Sequence, residues 1–208
     1  MNRSNLAQKS IVALIMVAFL GFYSCKQNSK KESAEETATE VAVEESKPDL
    51  KLSLAQWSIH KMILEEGVDP YTFAEKASEW GFEGLEYVSA LYYKELQAAN
   101  FSEEAMNNWV EKSKAESEKY GLTNVLIMVD GQGDIAVPDE AERTKAVENH
   151  YKWVDAAAAL GCSSIRVNLN GSMDPEVWMP ASVAGLTQLA TYAKDKNIKR
   201  AGTAHRKP

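Results

Sequence analysis

The chain has 208 residues, three histidines, two cysteines and a net charge of -7. The acidic balance argues against a nucleic-acid partner, since DNA and RNA want a basic face. Two cysteines supply neither a disulfide framework nor a zinc-ligand spacing.

Arg3 and Lys9 give the N-terminus a positive start, and Ile11 to Tyr23 form an unbroken apolar or small stretch. That is too short for a membrane span of about 20 residues and the right length for a signal-peptide core. Ser24-Cys25 then offers a cleavage point, resembling a bacterial lipoprotein signal in which Cys25 becomes the lipidated N-terminus, although Phe22 and Tyr23 are bulkier than usual there. An uncleaved anchor and plain secretion are the alternatives. On the lipoprotein reading, residues 1–25 are the signal and the protein is exported and membrane-anchored, facing the periplasm or the cell surface. Residues 26–49 hold no aromatic residue and are dominated by Glu32, Glu35, Glu36, Glu40, Glu44 and Glu45. Such a segment buries too little apolar surface to offset its ordering entropy and reads as a disordered acidic tether.

The folded part begins with a strand over Lys51 to Ser58. Asp69-Pro70 starts a helix, with Asp as N-cap and Pro at the first helical position; Phe73, Ala74, Ala77 and Trp80 follow at helical spacing until Gly81. A strand, Gly84 to Val88, comes next. A second helix, about Ser102 to Tyr120, closes at Gly121 and leads into the strand Thr123 to Val129. Asp139-x-x-Glu142 is a capping box opening a third helix through Val147, Tyr151, Val154 and Ala158 to Leu160-Gly161, before the strand Ser164 to Leu169. The fourth helix places Leu186, Leu189, Ala190 and Ala193 on one face and stops near Asn197. Residues 199–208 (Lys-Arg-Ala-Gly-Thr-Ala-His-Arg-Lys-Pro) are basic and lack apolar alternation, so they are expected to form an anomalous tail and no fifth buried strand.

Strict alternation of strand and helix predicts an α/β protein with a parallel sheet, either a barrel or an open doubly wound sheet. Gly131-Gln-Gly133 follows the third strand but lacks a third glycine and opens no helix, so it reads as a turn and not a nucleotide loop. Parity favours the barrel. Ile165, Val167 and Leu169 oppose Arg166, Asn168 and Asn170; Leu85 and Tyr87 oppose Glu86; Val125, Ile127 and Val129 oppose Leu126, Met128 and Asp130. Polar groups thus fall repeatedly on the expected inner face near strand ends, where a barrel keeps its site.

Three segments carry a family resemblance: Leu-Ser-Leu-Ala-Gln-Trp-Ser-Ile-His (52–60), Ala-Ser-Glu-Trp-Gly-Phe-Glu-Gly-Leu-Glu-Tyr (77–87) and Ala-Ala-Leu-Gly-Cys-Ser-Ser-Ile-Arg-Val (158–167). They resemble the xylose-isomerase-like barrels, a family of sugar-phosphate isomerases and epimerases that also includes endonuclease IV. The resemblance covers residues 50–198 and implies the N-terminal half of a (β/α)8 TIM barrel with four βα units. It also implies a sugar or sugar phosphate as partner and a divalent metal (Mn, Mg, Co or Zn) that polarises a carbonyl while a carboxylate moves a proton between neighbouring carbons. In the family the metal-binding Glu, Asp, His and Glu come from the fifth strand onward. On this reading the chain holds no metal tightly and is an inactive, truncated form, with a non-catalytic carbohydrate-binding lipoprotein as the alternative.

The remaining candidates belong to the substrate-facing wall. Trp57 is placed to stack on a sugar face or to pack in the core. His60 follows the first strand, as a hydroxyl partner, an acid or base, or a solvated loop residue. Glu86 matches the family's carboxylate at the end of the second strand. Asp130, Arg166 and Asn168 complete the set, with Arg166 meeting an anionic group or pairing with Glu86 or another interior carboxylate. His150 reads as a helix-surface residue, and Cys162, on the edge of a buried strand, as a free structural thiol. Open barrel edges at the first and last strands predict self-association.

Overall fold

A computed structural model describes residues 50–203, with side chains through Ile198. The candidate lipidation site Cys25, the tether and His205 lie outside the described residues. Five strands, β1 (Ser53–Ala55), β2 (Gly84–Val88), β3 (Thr123–Val129), β4 (Ser164–Asn168) and β5 (Lys199–Thr203), pair parallel in the order β1-β2-β3-β4-β5. Helices connect them: α1 (His60–Leu64) and α2 (Phe73–Glu79), then α3 (Tyr93–Ala98) and α4 (Glu103–Lys119), then α5 (Glu140–Leu160), then α6 (Pro175–Ala193). Sequential parallel order with a helix in every crossover is the arrangement of one arc of a barrel.

The helix limits follow from local chemistry. Asp69 accepts from Tyr71 N at 3.0 Å, Ser102 from Ala105 N at 3.3 Å, Asp139 from Glu142 N at 2.8 Å and Asp174 from Glu176 N at 3.0 Å. Each carboxylate or hydroxyl satisfies an amide that the first helical turn leaves unpaired. Gly161, at φ 86°, ends α5 in the left-handed region that only glycine enters freely.

Several expectations change, beginning with the two edges of the sheet. The first strand is shorter than residues 51–58: after Ala55 the chain turns through a 3-10 segment, Gln56–Ile59, into α1, so Trp57 and His60 sit on helical turns. The buried Gln56 causes the turn, because its Nε2 donates to Tyr92 Oη at 2.8 Å and its Oε1 accepts from Val88 N at 3.0 Å, which pins the end of β1 to β2. The basic segment after Ile198 forms β5, paired with β4 from Ser164↔Lys199 to Asn168↔Thr203. Backbone pairing does not depend on side-chain polarity, and a strand paired on one side tolerates Lys and Arg. The tail reading is thus replaced by a strand over residues 199–203, and residues 204–208 lie outside the described residues.

The core lies between sheet and helices. Leu85, Ile127, Ile165 and Val167 of the sheet are fully buried against Trp109 of α4, Trp153 of α5 and Leu189 of α6. Trp109 meets Trp153 edge-on at 5.6 Å and Tyr92 at 5.3 Å, an arrangement that the ring quadrupoles favour. Cys162 is a free, buried thiol, and burial pushes its pKa up to about 12.

His150 is not on the surface. It is 2 % exposed, donates from Nδ1 to the Ala146 carbonyl at 2.7 Å, and burial lowers its pKa. Three residues after Val147 and four before Val154, it shares their buried stripe, and its charged sequence neighbours face elsewhere.

A shift of register between Leu85 and Glu86 makes Val125 the extra residue of β3, so Asn124, and not Val125, takes the helix-facing position. Asn124 donates from Nδ2 to Ser117 Oγ at 3.0 Å and to the Leu160 carbonyl at 2.9 Å, and accepts from Tyr87 Oη at 2.9 Å.

Candidate functional site at the strand ends

In β4, and in β3 beyond its bulge, the inner-face parity holds as expected. Ile165, Val167 and Leu169 are buried on the helix side, while Arg166, Asn168 and Asn170 keep intermediate exposure on the other. Asp130, the residue after β3, lies beside them. Its Oδ1 accepts from Arg166 Nη2 at 3.0 Å and from Asn168 Nδ2 at 2.7 Å. One step further out, Asn170 Nδ2 donates to Asp134 Oδ1 at 3.0 Å. Residues 166, 168 and 170 thus form a ladder at two-residue spacing, each rung meeting a carboxylate from the loop after β3.

That loop is held by contacts that the sequence does not advertise. Asp130 N donates to Ser89 Oγ at 3.0 Å, and Tyr93 Oη donates to the Asp130 carbonyl while accepting from Gln132 Nε2 at 2.6 Å. Burial raises the pKa of the Tyr93 phenol above its ordinary value. Asn149 Nδ2 donates to the Gln132 carbonyl at 3.2 Å, and Ile135 and Ala136 are fully buried. Ala136 bridges to Gly171, and a Cβ on Gly185 of α6 would run into the Ile135 carbonyl. Trp178 of α6 donates to the Leu169 carbonyl at 2.8 Å. The loops after β3 and β4 are thereby fixed to each other and to α6.

The other candidates stand apart. Glu86 is the middle residue of β2, two residues short of its end, in register with Ala55 and Leu126 and accepting from Ser53 Oγ at 2.6 Å. It is therefore deeper than a carboxylate at the strand end. Trp57 and His60 stack on each other, centroids 4.3 Å apart and rings 4° from parallel, with His60 Nδ1 2.6 Å from the Trp57 carbonyl. Trp57 remains 49 % exposed, so it is not core, and the imidazole covers one face of its indole. Among the described residues no hydrogen bond or ion pair joins Glu86 or the Trp57–His60 pair to Asp130, Arg166 or Asn168. The question of Arg166's partner resolves to Asp130.

Ser89, Tyr93, Gln132 and Gln56 were missed as supports. Their signal was faint: polar residues just beyond strand ends, with partners 32 to 41 positions away.

Among the described residues, no three His, Cys, Asp or Glu side chains converge in a way that could hold a metal ion. Asp130 already faces a guanidinium, Glu86 is held by Ser53, and His60 lies on Trp57. These residues do not by themselves fit a divalent metal centre. A groove of about 710 Å³ lies elsewhere, between helices, lined by Met106, Val110, Lys152, Ala156 and Lys196 among others, and takes no part in the strand-end site.

A five-stranded parallel arc with its polar ladder at the C-terminal strand ends defines a TIM-barrel type of protein. The chain belongs to the xylose isomerase-like TIM barrel family, whose pattern matches residues 74–201 and so runs into β5. No protein of curated function matches it. Its fold is similar to that of a sugar phosphate isomerase/epimerase from Parabacteroides distasonis, with 17 % identity, a TM-score of 0.56, and coverage of 79 % of this chain and 54 % of that one. It is also similar to IolI, a protein solved with a bound zinc atom, with 13 % identity, a TM-score of 0.56, and coverage of 74 % and 51 %. D-psicose 3-epimerase, solved in the presence of D-fructose, matches with 14 % identity, a TM-score of 0.54, and coverage of 73 % and 51 %. The chain spans about half the length of these proteins.

Proposed function

We propose that this chain supplies the substrate-facing wall of a sugar isomerase or epimerase barrel, and that its own residues do not turn the sugar over. The observation that carries this is the Asp130–Arg166–Asn168 group at the C-terminal ends of β3 and β4, the end of a barrel where ligands are met. In the family a divalent metal would supply the polarisation for enediol-type chemistry; the residues described here position sugar hydroxyls. The test is ligand-observed NMR together with a sugar-conversion assay on the full chain, with and without added Mn²⁺. Saturable binding without conversion is expected. Conversion that disappears in Glu86→Gln would overturn the inactivity, and no binding of any sugar would overturn the wall.

A second reading, a non-catalytic carbohydrate-binding lipoprotein, is favoured by Trp57, whose half-exposed indole offers one face for stacking. Metal-dependent turnover on adding a polypeptide that completes the barrel would support the enzyme reading. Unchanged binding under the same addition would support the binding module.

Two partner proposals accompany both readings. Cys25 carries a lipid that anchors the exported protein to a membrane facing the periplasm or the cell surface; Cys25→Ser should then leave the membrane fraction, and a variant that stays bound and acylated would sink this. Among the described residues β1 and β5 are each paired on one side only, so the edges are proposed to drive self-association. A compact monomer in sedimentation would contradict it.

A further inference from the structure

The polar ladder distinguishes an uncharged sugar from a phosphorylated one, provided that this end of the sheet meets a sugar as proposed above. Both donors that reach Asp130 end on one oxygen: Arg166 Nη2 at 3.0 Å and Asn168 Nδ2 at 2.7 Å share Oδ1. Oδ2 has no hydrogen-bond partner among the described residues, and the carboxylate side chain is 32 % exposed. An ionised carboxylate oxygen in that state is an acceptor only, and its natural complement is a hydroxyl proton. The oxygen is also held in place. Ser89 and Tyr93 fix the backbone amide and carbonyl of Asp130, and the loop beyond it is wedged against α6, so little ordering remains when a ligand arrives.

Among the described side chains the guanidinium of Arg166 is the only cation on this ladder, and its charge is already matched by Asp130. A phosphate approaching it must compete with Asp130, whose carboxylate is in contact, and then meets Asp134 on the next rung, bound to Asn170 at 3.0 Å. Among the described side chains one cation faces two carboxylates here. A doubly charged group gains little from such a set and is repelled by it, whereas a neutral polyol feels no such repulsion. We infer that Asp130 accepts a hydroxyl of an uncharged sugar through its free Oδ2, and that Arg166, matched by Asp130, makes this end of the sheet a poor seat for a phosphate.

The test compares D-fructose with fructose 6-phosphate on the full chain, by titration calorimetry or ligand-observed NMR at low salt. Fructose should bind about fivefold more tightly than its 6-phosphate, the scale of one like-charge contact at about 4 Å screened by water. In Asp130→Asn fructose should weaken by about tenfold, the loss of a hydrogen bond to a charged acceptor, while the phosphate ester gains because Arg166 is released, so that the order reverses. A wild-type chain that prefers fructose 6-phosphate, with the preference removed in Arg166→Gln, would overturn this inference and leave the sugar-wall reading intact. A chain that binds neither probe would overturn both. The wild-type ratio of affinities decides the matter even where a variant fails to fold.

Discussion

On the helix side of the sheet Leu85, Tyr87, Ile127, Val129, Ile165 and Val167 are at most 2 % exposed, whereas on the inner side Glu86, Met128, Asp130, Arg166 and Asn168 all keep intermediate exposure. The two faces share one backbone and differ by a single step of the two-residue period. The helix side is stabilised by removing apolar surface from water. The inner side is held by pairs of polar groups whose attraction water still screens. The residues best placed to meet a ligand are therefore those on which folding depends least.

The largest expected effect is on the helix side. Trp153 is fully buried against Trp109, Phe101 and Tyr93, so Trp153→Ala should lower unfolding free energy by about 3–5 kcal/mol in urea titrations. A loss no larger than that of an inner-face variant would break the comparison.

Gly185 tests the join between the faces. A methyl group there meets the Ile135 carbonyl, so Gly185→Ala should destabilise by about 1–3 kcal/mol. It should also shift the loop that carries Asp130, read as changed amide resonances for residues 130 to 136. Unchanged resonances would mean that the loop is not fixed by α6.

His150 brings a pH dependence to the buried side. Its folded pKa is lowered by burial, so the unfolded chain binds the proton first as pH falls. Stability from this group is complete above the ordinary histidine value of about 6.5 and is lost below it, by at most about 1.4 kcal/mol per pH unit, until the folded value is reached. Urea midpoints between pH 7.5 and 5 should fall in the wild type and fall less in His150→Gln. Parallel curves would assign the slope to other groups.

The smallest effect belongs to the inner face. The Asp130–Arg166 pair is 32 % and 21 % exposed, and Asp130→Asn should change stability by less than about 1 kcal/mol while altering ligand preference. A loss as large as that of Trp153→Ala would make Asp130 a folding residue and remove the distinction.

Much of the fold was legible because its signals are local. The caps Asp69 and Asp139, the stop at Gly161 and the run Thr123–Val129 each need only their own few residues to act. Parity named Asp130, Arg166 and Asn168 as inner residues for the same reason. It did not show that they touch, since the partners lie 36 and 38 positions apart. His150 has polar neighbours in sequence that suggest the surface, yet its spacing from Val147 and Val154 places it on the buried stripe.

The amino-acid sequence by itself determined the alternation of strand and helix, the limits of the longer helices and the division of β2, β4 and the outer part of β3 into an apolar and a polar side, because dihedral preference, capping and burial period are properties of short segments. Only the tertiary structure decided that residues 199–203 pair as β5, that a bulge at Val125 turns Asn124 toward the helices, that Glu86 sits below the strand end, and that Gln56, Ser89, Tyr93 and Gln132 hold the site. Each of these depends on a backbone or a side chain brought from a distant part of the chain, and a polar group declares its role only when its partner is in place.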